Sequence, residues 1–155
     1  INVHKTWLFR LLKEGLFFYI SSEGVELFGE YLGHDPNFCE LPPIFPLMLF
    51  FMGKIYALIR PELNDVYLLV TFMKIPQITA ECLIALVIYL VIRKESSSIY
   101  ASTFASSLFL FNPFVFFLTA VWGAPESIVA LFIIASLYMI YQGRYFLGAL
   151  LLYMP

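Results

Sequence analysis

Three polar side chains share one stripe of an otherwise apolar segment. Lys74, Gln77 and Glu81 are spaced i, i+3 and i+7, beside Pro76, which can kink a helix. A charge inside a bilayer costs about 2.5–3.5 kcal/mol on insertion scales, so this stripe should face protein or a watery cavity. We predict that Lys74 attracts an anionic head group and that Glu81 orients the stripe. The alternatives are a lysine that reaches outward to water and a glutamate that joins two helices.

Two further carboxylates, Asp35 and Glu40, precede the apolar run at residues 44–59. The pair Pro42-Pro43 lacks backbone N–H donors and stiffens the chain after Glu40. A carboxylate held at a membrane face could position a sugar hydroxyl or act as a general base on an acceptor. The alternative for both residues is an ordinary loop acid in contact with solvent.

Glu126 is the only carboxylate between residues 96 and 155, and it lies with Trp122 in the segment 119–127. Because this segment joins two apolar helices, we interpret it as a loop that forms one wall of a membrane-embedded site. The alternatives are a first-turn acid favoured by the helix dipole and a tryptophan that anchors the chain at the membrane interface.

The composition defines the environment of these residues. The 155-residue chain is 61% hydrophobic and 13% charged, and its mean hydropathy is +0.86. Soluble domains are roughly half apolar and one-quarter charged, so we expect an integral membrane protein with membrane lipids as partners. The net charge of −2 gives no footprint for nucleic acid.

The metal-ligating residue types are few and scattered. Cys39 and Cys82 set no disulfide framework or zinc site, and His4 and His34 form no metal motif. We therefore predict no metal site and no cofactor from these residues, and leave a divalent ion open.

The hydropathy pattern predicts an all-α fold, a polytopic transmembrane helix bundle with an external loop that carries amphipathic juxtamembrane helices. Residues 1–42 form the external or lumenal loop and hold six of the eleven acidic residues. Residues 43–59 form a short apolar juxtamembrane or re-entrant helix, and residues 67–155 form the transmembrane helices of one incomplete membrane domain. The predicted spans are 67–92, 99–118 and 127–141, with a truncated fourth.

Two helices are predicted within the loop. The apolar residues that recur at helical spacing among charged ones are Val3, Trp7, Leu8, Leu11 and Leu12, which predicts an amphipathic helix along the membrane surface that Gly15 can end. A second, weaker helix is predicted over residues 22–32, with a serine as its cap.

Basic residues in the connections 93–95 and 142–144 assign both to the cytoplasm. Residues 60–66 and 119–127 and the loop 1–42 then face the exterior or the lumen, provided that residues 44–59 do not cross. We expect a multi-pass protein of the endoplasmic reticulum or plasma membrane, with its active site on the lumenal or external face. Because the chain begins with Ile and ends inside an apolar run, we also expect a piece of a larger protein.

A set of short motifs follows in a fixed order along the chain. They are His4-Lys5-Thr6-Trp7, Glu14-Gly15-Leu16-Phe17-Phe18-Tyr19, Glu40-Leu41-Pro42-Pro43, Lys74-Ile75-Pro76 with Glu81, Asn112-Pro113, and Trp122-Gly123-Ala124-Pro125-Glu126-Ser127-Ile128. This ordered set resembles the class C glycosyltransferases, multi-pass enzymes that use polyprenyl-phosphate-linked sugars. The likeness is greatest to the mannosyl- and glucosyltransferases of lipid-linked oligosaccharide and glycolipid anchor synthesis. Where relatives carry Asp, this chain has Glu40, Glu81 and Glu126, and Ala124 replaces a glutamine.

The resemblance implies inverting transfer of a hexose, with mannose favoured over glucose, from a polyprenyl or dolichyl phosphate to a glycan or lipid acceptor. An acidic residue deprotonates the acceptor hydroxyl, which attacks the anomeric carbon while polyprenyl phosphate departs. The main base is expected upstream of Ile1, and Glu40 and Asp35 are the candidates within the chain. Lys74 and Arg60 are the candidates for binding the donor phosphate.

The same resemblance implies a site wall made of five residues, which are His4, Trp7, Trp122, Glu126 and Glu81. Two other classes of protein compete with this interpretation. One is a transporter or channel in which Lys74, Gln77 and Glu81 line a pathway, although the sequence shows no internal repeat. The other is a scaffold subunit that holds other membrane proteins.

The topology can be tested with two cysteine variants in a chain whose own cysteines are replaced. We expect a membrane-impermeant maleimide to label Glu62→Cys from the external or lumenal side. Ser96→Cys should be labelled only after permeabilisation, because the segment between them is long enough to cross a bilayer. Labelling of both positions from one side would contradict the predicted crossing.

Overall fold

The computed structural model describes residues 8, 11–12, 25–27, 30–32, 44–62, 65–122 and 125–153. The chain divides into unit 1, residues Ile1–Met73, and unit 2, residues Lys74–Pro155, and each is considered by itself. The described elements are strands β1 (Val25–Leu27) and β2 (Glu30–Leu32), helices α1 (Ile44–Ile59), α2 (Val66–Ser96), α3 (Ile99–Leu110) and α4 (Pro113–Phe116), a π-helical segment (Phe117–Trp122), and helices α5 (Glu126–Tyr141) and α6 (Tyr145–Leu152). The helical class is confirmed for the described residues, with the two short strands as the exception.

Strands β1 and β2 show that the helix predicted over residues 22–32 is wrong. They pair antiparallel, with Val25 opposite Leu32 and Leu27 opposite Glu30. The register leaves two residues between the strands, and one of these is Gly29. Glycine is favoured in two-residue hairpin connections, and this turn preference outweighs the weak helical periodicity of the segment.

In unit 1, an N-terminal apolar face packs on α1. Leu8, Leu11 and Leu12 are helical, as the sequence predicted, and Leu8 and Leu11 are fully buried. Gly53 of α1 allows the close approach, because a Cβ at this position would lie 3.1 Å from Leu8 Cδ2. The 16 residues of α1 correspond to about 24 Å of helix, shorter than the ~30 Å hydrocarbon core.

A buried tyrosine fixes the connection from α1 to α2. Tyr56 Oη donates to Asp65 O at 3.0 Å and accepts from Asp65 N at 3.1 Å. Asp65 Oδ1 in turn accepts from Leu68 N at 3.0 Å, which caps the N-terminus of α2.

Helix α2 is the longest element. Its residues Tyr67–Ser96 are long and apolar enough to cross a membrane, and they include the predicted span 67–92. The predicted span 99–118 corresponds to a bent pair of helices, Ile99–Leu110 and Pro113–Thr119, which together are long and apolar enough to cross a membrane but are bent by 43°. The break follows from local chemistry. Pro113 lacks an N–H donor, and Asn112 Oδ1 accepts from Phe114 N at 2.9 Å to start a new helix.

The segment predicted as a loop over residues 119–127 is mostly helical. Helix α4 continues as a π-helical segment through Trp122, and α5 begins at Glu126 after a turn at Pro125. Single π-helical turns within helices often lie at functional sites. The prediction of a loop there is therefore wrong for residues 119–122 and 126–127.

Helices α5 and α6 pack against each other around a glycine-ended connection. Gly143 has a φ of 76°, and its N–H donates to Ile140 O at 2.8 Å while Arg144 N donates to Met139 O at 2.9 Å. This is the Schellman pattern of helix ends. Farther along, Ser136 Oγ donates to Gly148 O at 2.6 Å, and both residues are buried.

Gly148→Ala should destabilise the α5–α6 pair, although alanine is the better helix former by about 1 kcal/mol. A Cβ there would lie 2.6 Å from Ile140 Cγ1 and 3.0 Å from Ser136 O. We expect a loss of about 1–3 kcal/mol in the free energy of unfolding, measured by denaturant titration in detergent. The exposed neighbour provides the control, since Ala149→Gly should cost no more than the propensity difference. A stabilised Gly148→Ala variant would contradict the packing.

Candidate functional site

The polar stripe of α2 is packed against protein at Gln77 and Glu81. Gln77 is 2% exposed and Glu81 9% exposed, whereas Lys74 is half-buried. In the part of the chain that the structure describes, Gln77 Oε1 is the one buried side-chain nitrogen or oxygen without a hydrogen-bond partner. Glu81 lies at the middle of the 31-residue α2.

Glu81 receives hydrogen bonds from two other elements. Ser127 Oγ, in the first turn of α5, donates to Glu81 Oε1 at 3.1 Å. Thr119 Oγ1, in the π-helical segment, donates to the same oxygen and lies 3.3 Å from Ser127 Oγ. A buried carboxyl group needs such donors, so the two hydroxyls hold α2, the π-helical segment and α5 together.

A pocket of about 180 Å³ opens beside this cluster. Glu81, Glu126 and Ser127 supply its polar groups, and the rest of its lining is apolar, including Phe109 and Phe114. Glu126 is exposed and Ser127 half-buried. Two carboxyl groups and a hydroxyl in apolar surroundings can hydrogen-bond a polyol and exclude most water around it.

Two of the carboxylates predicted from the sequence lie at this pocket. The structure brings Glu81 and Glu126 to one pocket and places the backbone of Trp122 in the adjoining π-helical segment. Lys74 lies on the same stripe about 10 Å along α2 from Glu81. The sequence predicted the segment 119–127 at the external or lumenal face, whereas the hydroxyls at both ends of this segment bind Glu81 at the middle of α2.

The remaining predicted residues lie elsewhere. Arg60 is exposed just after α1, in unit 1. His4, Trp7, Asp35 and Glu40 lie outside the described residues. Among all residues that the structure describes, no group of three or more His, Cys, Asp or Glu side chains could hold a metal ion.

Sequence reasoning missed Thr119 and Ser127 as partners of Glu81. The signal was present, because a carboxyl group in the middle of an apolar helix must find donors, and hydroxyl residues occupy both ends of the segment 119–127. The contacts correspond to the alternative in which Glu81 joins helices.

A second polar cluster, the end cluster, joins α2 to α5 where both helices end. Tyr141 Oη donates to Glu95 Oε1, and Lys94 Nζ lies 3.2 Å from Gln142 Oε1. The pairs Glu81–Ser127 and Glu95–Tyr141 have the same sequence separation, 46 residues. Helices α2 and α5 therefore run parallel and in register over about 21 Å. The basic connections 93–95 and 142–144 lie at the same end of this pair.

Comparisons with known protein families, with curated proteins and with solved structures find no match to this chain.

Removing a hydroxyl from the Glu81 cluster should destabilise unit 2. For Thr119→Val we expect a loss of about 1–2 kcal/mol in the free energy of unfolding, because a buried carboxyl oxygen loses a donor. Thr79→Val is the matched control, since its exposed hydroxyl bonds only Ile75 O of its own helix, at 2.8 Å.

A double-mutant cycle isolates the interaction. If the Thr119 and Glu81 side chains are coupled, Thr119→Val in a Glu81→Gln background should cost less than it does alone. Equal losses in both backgrounds would contradict the hydrogen bond.

Proposed function

We propose that this chain is part of a multi-pass membrane glycosyltransferase that moves a hexose from a polyprenyl phosphate to a glycan or lipid acceptor. The observation that carries the proposal is the pocket lined by Glu81, Glu126 and Ser127. Glu81 and Glu126 come from separate motifs of the set that resembles class C glycosyltransferases. Their convergence on one pocket is expected if the motifs serve one substrate.

The proposed role of the pocket is to orient the transferred sugar. Carboxyl and hydroxyl groups accept and donate hydrogen bonds to sugar hydroxyls, and apolar walls strengthen those bonds by lowering the local dielectric. Only bonds that tighten as charge develops at the anomeric carbon would accelerate transfer. In this proposal Glu81 is a positioning residue, because the hydroxyls of Thr119 and Ser127 already engage its Oε1.

Lys74 is proposed to bind the donor phosphate. Its place about 10 Å along α2 from Glu81 leaves room for one sugar between a phosphate and the pocket. An ammonium group there would stabilise the negative charge that builds up on the departing polyprenyl phosphate. The base that activates the acceptor is proposed to be Glu40, Asp35 or a residue upstream of Ile1.

In the proposed membrane placement, α2 crosses the bilayer with the end cluster on the cytoplasmic side. The broken pair α3–α4 returns toward the opposite face, and α5 descends again, parallel to α2. This order agrees with the observed parallel pairing, because the chain reverses direction once before α3 and once before α5. The second reversal lies at the level of Glu81, since Thr119 and Ser127 both bond this residue.

A second candidate function is transport of an ion or small polar solute. The observation that favours it is a buried carboxyl group at the middle of α2, bonded to a helix break with a π-helical turn. Transporters bind substrates at discontinuous helices near the bilayer midplane. Against a water-filled path along the stripe, Gln77 and Glu81 are almost fully buried.

The transferase proposal is tested with the full-length protein in liposomes that contain polyprenyl-phosphate mannose or glucose and an acceptor lipid extract. We expect release of polyprenyl phosphate, lowered about 10- to 100-fold by Glu126→Gln and by Lys74→Met, because each removes a substrate contact of about 1–3 kcal/mol. Glu40→Gln removes a candidate base and should lower release by about 100-fold or more. Glu62→Gln, an exposed acid in unit 1, is the control and should keep full activity.

Three outcomes contradict parts of this account. No release from either sugar phosphate by the intact protein would contradict the function. Release that is unaffected by Glu126→Gln would support the transferase activity but would contradict the proposed role of this pocket in it. Tracer uptake that depends on Glu81, without sugar transfer, would instead support the transporter.

A further inference from the structure

An apolar groove of about 390 Å³ runs between α2 and α5. Ile88 and Val91 form its wall on α2, and Ile134 and Leu137 form its wall on α5. The lining extends along each helix for about 8–10 Å, which is more than half of a ~15 Å hydrocarbon leaflet. The groove is therefore long enough to receive a substantial part of an acyl chain.

Two residues of the groove lining, Tyr138 and Tyr141, carry hydroxyl groups. Both hydroxyls form hydrogen bonds with residues at the helix ends. Tyr141 Oη donates to Glu95, and Tyr138 Oη accepts from Gln142 Nε2 at 2.9 Å. Because these partners lie beyond the groove, its interior offers only hydrocarbon to a ligand. A flexible alkyl chain fits such a surface better than a polar molecule does.

Cations lie at the same end of the groove. Lys94 Nζ is 4.4 Å from the centroid of the Tyr141 ring, so a tyrosine of the groove lining positions this ammonium group. Arg93 precedes it and donates to Ser97 O, and the exposed Arg144 follows Gln142. Glu95 opposes these three cations.

We propose that this groove binds an acyl chain of an anionic phospholipid, with its head group held by Lys94 and Arg144. Two observations point to this one occupant. The groove is apolar along its length and cationic at one end, which is the complement of a charged amphiphile. Its cationic end also carries the basic residues that the topology assigns to the cytoplasm, where anionic lipids are concentrated.

The inference rests on the membrane placement of α2 and α5 and goes beyond sugar transfer. The head group would lie about 20 Å along α2 from Glu81, at the opposite end of α2 from Lys74, so this lipid is not the donor substrate whose phosphate is proposed to bind Lys74. Its role would be to fill the space between two parallel helices. Their described hydrogen bonds to each other lie on either side of the groove, at Glu81 and in the end cluster.

Native mass spectrometry of the full-length protein tests the site. The protein is released from micelles that contain equal amounts of phosphatidylglycerol and phosphatidylcholine. We expect retention of one phosphatidylglycerol in preference to phosphatidylcholine. Each cation contributes about fivefold, the equivalent of ~1 kcal/mol, so Lys94→Gln with Arg144→Gln should lower the preference about 25-fold.

Two further variants and one control separate binding of the head group from binding of the acyl chain. Leu137→Trp places an indole in the groove from a residue that is 59% exposed, so folding should be maintained while retention of both lipids falls. Lys94→Arg keeps the charge and should keep the preference. Lys54→Gln is the matched control, because Lys54 also lies over an aromatic ring, 5.3 Å from the Phe50 centroid, but in unit 1.

The outcomes are distinguishable. Loss of preference in the double charge variant together with loss of retention in Leu137→Trp supports the site. Unchanged lipid retention in Leu137→Trp would mean that the lipid is held by its head group alone, and would contradict acyl-chain binding in the groove. Equal retention of both lipids by the unaltered protein would overturn the anionic preference. None of these results depends on sugar transfer.

Discussion

A carboxyl group at the middle of a long apolar helix must obtain hydrogen-bond donors from its neighbours, since burial without them is costly. Glu81 obtains them from Thr119 and Ser127, which lie on either side of the connection between the π-helical segment and α5. This requirement draws that connection to the middle of α2. The pocket beside Glu126 lies where these elements meet, and Phe109 of α3 and Phe114 of α4 contribute to its lining.

The end cluster is the second polar contact that fixes how α2 and α5 pair. Lys94 and Glu95 bind residues at the end of α5, and the equal spacing of the two clusters makes α2 and α5 parallel. Polar contacts therefore lie at both ends of the apolar groove between α2 and α5. Apolar side chains alone specify helix pairing weakly inside a bilayer, because lipid is as apolar as leucine. Two polar clusters at fixed spacing specify both direction and register.

Much of this frame could be predicted from local sequence. The apolar length of α2, the limits of α1 and the helix around Leu8 and Leu11 follow from composition and periodicity. The break at Asn112-Pro113 also had a local signal, a capping residue before a proline, but the apolar run on both sides concealed it. The pairing of β1 with β2 was missed because the turn preference of glycine in the sequence between them competed with a weak helical pattern.

The candidate site was harder to predict, because its contacts join residues far apart in the chain. Local rules identify Glu81 as a residue that needs a partner but cannot select Thr119 and Ser127 from the many hydroxyl residues available. The shape of the pocket depends further on where the π-helical turn sets the side chains of α4, and no residue pattern specified that turn.

The contacts of Thr119 and Ser127 with Glu81 require the π-helical segment to lie at the depth of the middle of α2. Spin labels at the exposed positions Tyr67, Leu83 and Val121, placed one at a time in lipid bilayers, report depth through collisions with oxygen and with a polar nickel complex. The account predicts that the label at Val121 lies within about 5 Å of the depth of Leu83 and roughly 20 Å deeper than Tyr67. A Val121 label at the depth of Tyr67 would contradict it.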